Sequence, residues 1–122
     1  MATTRELGDI TESLACEYLQ SNGLKLLERN FNCRFGEIDL IMQNADSLVF
    51  VEVRYRRNKD FGSGAESVTP SKQSKLIKTA SAYLQQHAKL GKCPARFDVV
   101  SITGSIETDN IDFDWIENAF GA

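Results

Sequence analysis

Two acidic residues lie inside apolar runs, thirteen positions apart: Gly36-Glu37-Ile38-Asp39-Leu40-Ile41, then Val49-Phe50-Val51-Glu52-Val53-Arg54. A carboxylate that is buried and ionised without a partner costs several kcal/mol, even after the protein relaxes. Asp39 and Glu52 therefore call for a partner, and a hard divalent cation, Mg²⁺ or Mn²⁺, suits two carboxylates. Magnesium usually takes only one or two protein carboxylates and keeps several waters, so two acids are enough. Held in this way it would lower the pKa of a bound water and polarise a phosphate oxygen. Arg54 adds a cation that can stabilise charge growing on phosphate. It cannot be a general base, because a guanidinium stays protonated. The chemistry these residues suit is hydrolysis of a phosphodiester.

Neighbouring strands must bring these side chains together. Leu7, Ile10, Leu14, Ala15, Tyr18 and Leu19 recur at helical spacing, which predicts a first helix over about Thr4 to Asn22 with Gly23 as its C-terminal glycine. A strand over about Leu24 to Asn30 and a turn through Asn32-Cys33-Arg34 come next. Strands over about Gly36 to Gln43 and Leu48 to Tyr55 follow, joined by an Asn44-Ala45-Asp46-Ser47 turn. Alternation puts Glu37 with Asp39, and Glu52 with Arg54. The run Leu48-Val-Phe-Val-Glu-Val is apolar on both faces, the mark of a central strand. A loop spans Arg56 to Val68. Thr69 and Pro70 then suit the N-cap and first position of a second helix that ends at Gly91. A strand over about Ala95 to Thr103, a turn at Gly104-Ser105 with Ile106-Glu107 pairing back, and a closing helix or strand carrying Trp115, Ile116 and Phe120 complete the chain. The order α-β-β-β-α-β predicts a single domain over residues 1–122, an α/β sandwich whose mixed sheet is flanked by helices.

The 122 residues are 42% hydrophobic and 25% charged, a globular composition with room for a core. No apolar run approaches the ~20 residues that span a bilayer, and the N-terminal segment has no apolar signal, so a cytoplasmic location and no membrane partner are expected. Cys16, Cys33 and Cys93 are too widely spaced for a zinc site and read as reduced thiols. The net charge of −3 argues against nucleic acid, but its distribution does not. Residues 25–96 carry 13 basic against 7 acidic side chains, whereas residues 97–122 carry six acids and no Lys or Arg. A locally basic face can bind phosphate backbone whatever the total.

The quoted runs, with Tyr55-Arg56 after Arg54, resemble the YraN-like family. That is an uncharacterised bacterial family related to Holliday-junction resolvases and the PD-(D/E)xK nuclease superfamily. The resemblance spans nearly the whole chain. It includes Glu12 in the first helix, the Phe61-Gly62 loop, Val68-Thr69-Pro70-Ser71-Lys72-Gln73, Tyr83-Leu84 and Arg96-Phe97-Asp98-Val99-Val100. It implies a restriction-endonuclease-like core and an Mg²⁺- or Mn²⁺-dependent endonuclease acting on DNA, branched DNA among its forms. Asp39 and Glu52 would be metal ligands, Glu12 a nearby acid counted with the metal site, Arg54 the occupant of the superfamily lysine position, and Gln73 a catalytic-site residue of the second helix facing the site. Resolvase-like enzymes act as dimers, so a homodimer is implied as well. Two departures stand out: Arg54 where the superfamily most often has Lys, and Thr11-Glu12 without the expected glycine.

Other readings stay open on sequence. Arg56, Arg57, Lys59 and Lys72 are candidate nucleic-acid contacts, with Tyr55 available for stacking; the alternative is a solvated loop. Lys72, Lys75 and Lys78 also read as an ordinary exposed helix face. Glu37 reads as a structural ion-pair partner, Asp98 as a structural polar contact and His87 as uninvolved in chemistry. A nucleic-acid-binding module with weak or no catalysis is the alternative function, and an interaction role for the acidic residues 97–122 is a third.

Overall fold

The computed structural model describes residues 3–57 and 68–121. Lys59, Phe61-Gly62 and most of the loop before the second helix lie outside the described residues. The elements are α1 (Thr4–Ser21), β1 (Lys25–Cys33), β2 (Gly36–Asn44), β3 (Ser47–Arg56), α2 (Pro70–Gln86), β4 (Ala95–Ser105) and β5 (Asn110–Phe120), with a 3₁₀ turn at Leu90–Lys92. They build one five-stranded mixed sheet in the order β1-β2-β3-β4-β5. Only the β3–β4 pair is parallel, with α2 in the crossover between them. The architecture is the expected α/β one and is consistent with a restriction-endonuclease-like core, extended by a fifth strand.

The two helices cover opposite faces. Ala15, Cys16 and Leu19 of α1 pack with Leu40, Met42, Val49, Val51 and Val100. Leu76, Ala80 and Tyr83 of α2 pack with Ile41, Leu48, Phe50 and Val99. Strand β3 is therefore covered on both sides, as its doubly apolar sequence requires. Thr3 caps α1 by accepting the Glu6 N–H at 3.1 Å, and Thr69 caps α2 by accepting the Lys72 N–H at 3.2 Å.

Several boundaries differ from the sequence expectation. Helix α2 stops at Gln86, not Gly91. There the His87 ring stacks on Tyr83 at 4.1 Å and its Nδ1 lies 2.9 Å from the Tyr83 carbonyl oxygen. Strand β1 continues to Cys33, because Asn30 absorbs a kink at φ 53° and pairing resumes at Phe31↔Ile38. The turn moves to Arg34-Phe35. Gly104 lies inside β4 with φ 122°, where any Cβ would strike the Asn110 carbonyl oxygen. Ile106 and Glu107 lie in the following turn, and β5 is a full strand.

Asp98 explains how β5 is held. It is 1% exposed. Its carboxylate accepts from Trp115 Nε1 at 2.8 Å, Asn118 N–H at 2.9 Å and Arg96 Nε at 3.1 Å. These bonds sit where the β4–β5 register shifts between Phe97 and Val99. Asp98→Ala would strand all three donors and is expected to lower unfolding stability by about 3–5 kcal/mol. The measurement is the denaturant midpoint at unchanged slope; a loss under about 1 kcal/mol would contradict the anchoring role.

Candidate active site

Residues two apart on a regular strand share a face. At one point β1 and β2 break this rule together. Leu40 packs on the α1 side, but Ile38 packs on the α2 side. Across the ladder, Arg29 reaches Glu12 of α1 at 3.8 Å, whereas Phe31 packs edge-on against Tyr83 of α2. The face switches at the Asn30–Asp39 level, between the pairs Arg29↔Leu40 and Phe31↔Ile38. Asn30 can sit there because Asn tolerates the left-handed region better than most residues.

The β2–β3 register runs from Asn44↔Ser47 to Leu40↔Val51. One step further sets Asp39 across from Glu52. There the backbones part, and the Val53 N–H donates to Asp39 Oδ2 at 2.9 Å. Asp39 thus serves as acceptor for a backbone donor of β3. Its carboxylate also makes side-chain contact with Glu52 and with Glu12.

A cavity of about 290 Å³ opens at this point, lined by Gly36, Glu37, Asp39, Glu52, Lys72, Lys75 and Leu76. Glu37 also borders a second cavity, shared with Arg5, Asp9, Glu12, Asn30 and Asn32. The Glu52 side chain is 8% exposed. Its Oε1 lies 3.4 Å from Lys72 Nζ and 3.9 Å from Arg54 Nη2. Burial, followed by the charge of Asp39, pushes the Glu52 carboxyl up to about 7, although Lys72 and Arg54 pull it down. Burial and Asp39 likewise push Glu12 up to about 7 and raise Glu37. Glu12 Oε1 is buried and accepts no hydrogen bond.

Among the described residues, no three His, Cys, Asp or Glu side chains form a complete metal cage. Asp39 and Glu52 remain a sufficient pair for an ion that keeps most of its waters. The donor set fits such an ion. Its oxygens are hard, the Asp39 and Glu52 carboxylates face one cavity, and one buried oxygen on Glu12 accepts no hydrogen bond.

The structure brings together Asp39, Glu52, Arg54 and Lys72, with Glu12 reaching Asp39 from α1. Gln73 is half-buried, and its amide donates to the Val68 carbonyl at 3.0 Å; it is not among the described residues lining the acidic cavity. Arg57 is exposed and borders a different cavity with Leu7, Tyr55 and Gly104. Arg56 is half-buried on β3. Arg29, Asn30 and Lys75 join the site without having been singled out for it in the sequence. Lys75 could have been found from its i+3 spacing to Lys72, which keeps both on one helix side. Arg29 and Asn30 carry no comparable signal.

The raised Glu52 carboxyl has a stability consequence. Its value is 4.5 when unperturbed and about 7 when folded. Between these values the folded state holds more protons than the unfolded one, so stability falls as pH rises through this window. In metal-free buffer, Glu52→Gln is expected to flatten that decline and to stabilise the protein at pH 8 by roughly 1–3 kcal/mol. Thermal melts from pH 4.5 to 8 measure it; an unchanged slope in the variant would contradict a buried, ionising Glu52.

Residues 11–102 match the family described as "Uncharacterised protein family UPF0102". The UPF0102 protein of Nitrosococcus oceani is 52% identical over 119 residues, covering 98% of this chain and 94% of that protein. The UPF0102 protein of Saccharophagus degradans is 52% identical over 121 residues, covering 98% and 97%. That of Stutzerimonas stutzeri is 49% identical over 120 residues, covering 98% of each. The chain belongs to the uncharacterised protein family UPF0102.

Proposed function

We propose that this chain is a metal-dependent nuclease that hydrolyses phosphodiester bonds in DNA, with branched DNA the form its family resemblance favours. The observation that carries this reading is the meeting of Asp39 and Glu52 at the parting of β2 and β3, in a cavity walled by Lys72 and Lys75. Asp39 and Glu52 are the residues that would hold Mg²⁺ or Mn²⁺. The ion would supply an activated water and a polarised phosphate oxygen.

The remaining work falls to the chain's own side chains. Lys72 and Arg54 both stand at Glu52 and can take up charge that develops on phosphate. Lys72 matters for a further reason. By the family resemblance Arg54 occupies the strand position where a lysine is the commoner residue, and the Lys72 ammonium of α2 arrives closer to the same carboxylate. Glu12, held near 7, can take and release a proton at neutral pH, as acid–base chemistry requires. Glu12 is therefore the candidate for the proton acceptor that Arg54 cannot provide.

A binding module without turnover is the second reading. It is favoured by the engagement of Glu52 with two cations already. The two readings separate in an assay of linear, flapped and four-way DNA with Mg²⁺ or Mn²⁺. The nuclease reading expects metal-dependent cutting, with Asp39→Asn and Glu52→Gln each losing at least about 100-fold while binding persists. Lys72→Ala is expected to lose about 10²–10³-fold in kcat. Absence of cutting on all three DNAs, or full activity in both acid variants, would refute it. Salt-sensitive binding alone would then leave the binding module.

A further inference from the structure

The hairpin tip between β1 and β2 has a feature that catalysis at Asp39 and Glu52 does not use. Phe35 stands at the turn, 36% exposed, one of two large hydrophobic side chains so exposed among the described residues. The Arg34 guanidinium lies 4.8 Å from the centre of its ring. The tip is held in place. Cys33 pairs with Gly36, and the Phe35 N–H donates to Cys33 Sγ at 3.4 Å. Gly36 lies against α2, where an added Cβ would come within 3.4 Å of Thr79 Oγ1 and 3.9 Å of Lys75 Cβ.

Three lysines join this tip to the acidic cavity. Lys72 and Lys75 line the cavity that holds Asp39 and Glu52. Lys78 lines a neighbouring cleft of about 250 Å³ together with Phe35, Ile77, Ser81, Ala82 and Gln85. Among the described residues, no acidic side chain borders that cleft. At about 1.5 Å of rise per residue, Lys72 to Lys78 covers about 9 Å along α2. This row of positive charge runs from the acidic cavity to the cleft beside Phe35.

We propose that Phe35, with Arg34 beside it, is a stacking platform for an unpaired base on the strand that enters the acidic cavity. The inference rests on the nuclease reading and narrows its substrate to DNA with a single-stranded portion. A base inside a duplex is stacked on both faces; only an unpaired one can offer a face to an aromatic ring. The flanking cations Arg34, Lys75 and Lys78 suit a phosphate strand rather than an apolar or cationic partner.

The test is binding by the full chain in EDTA, at low salt, to fluorescent single-stranded, flapped and fully paired DNA of equal length. Phe35→Ala is expected to weaken single-stranded and flapped DNA by about 5- to 100-fold and to leave duplex binding unchanged. Phe35→Trp is expected to restore the wild-type preference, which separates stacking from loss of folding. A 2-aminopurine base in the flap should be quenched by wild type and not by Phe35→Ala. Equal weakening of all three DNAs, or none, would overturn the platform. None of these readouts needs cleavage, so their failure is distinct from failure of wild type to cut DNA.

Discussion

Strand β3 lies mid-sheet, where each backbone N–H needs an acceptor, because an unmet buried donor costs roughly 1–3 kcal/mol. Where β2 turns away, the Val53 N–H finds its acceptor in the Asp39 carboxylate. This bond fixes Asp39 at the mouth of the split and sets it across from Glu52. Two carboxylates are then forced into one partly buried space, which costs energy unless positive charge enters it. Much of the surrounding chemistry follows from that constraint. Burial and the charge of Asp39 raise Glu52, Glu12 and Glu37 together. Lysines from α2 close one wall, while α1 contributes Glu12 from the opposite face of the sheet.

The chain uses an acid at a ladder irregularity twice, with different outcomes. Asp98 accepts the Asn118 N–H much as Asp39 accepts that of Val53. Around Asp98, however, Arg96 and Trp115 complete the shell, and the carboxylate is sealed. Around Asp39 the shell is open to a cavity, and its neighbours are carboxyls that repel it. A closed network rigidifies a fold. An open one with raised carboxyls is the arrangement expected of a working site.

Much of this was legible in the residues, for reasons that can be named. The Asn44-Ala45-Asp46-Ser47 turn was legible as the link of a β2–β3 hairpin, which made Asp39 and Glu52 neighbours only if the register agreed; the structure supplies that register, from Asn44↔Ser47 to Leu40↔Val51. The doubly apolar β3 announced a central strand, and Thr69-Pro70 announced the start of α2. The change of face at Asp39 was not legible. It depends on a left-handed Asn30 on the neighbouring strand and on a hydrogen bond to a residue fourteen positions away. Lys72 was visible as a candidate nucleic-acid contact or a helix-surface cation but not as a partner of Glu52, since its approach to Glu52 is set by how α2 docks on the sheet. Strand β5 stayed ambiguous because its acidic residues obscured the Ile111, Phe113 and Trp115 alternation. The stacking of Phe113 on Tyr18 at 4.4 Å shows which face won.

The most direct test is a crystal soaked in millimolar manganese chloride and examined by anomalous scattering. A manganese ion is expected between the carboxylates of Asp39 and Glu52, with no ion there in Asp39→Ala. Ordered carboxylates in the arrangement described, with no anomalous peak between them, would contradict the site as a metal centre.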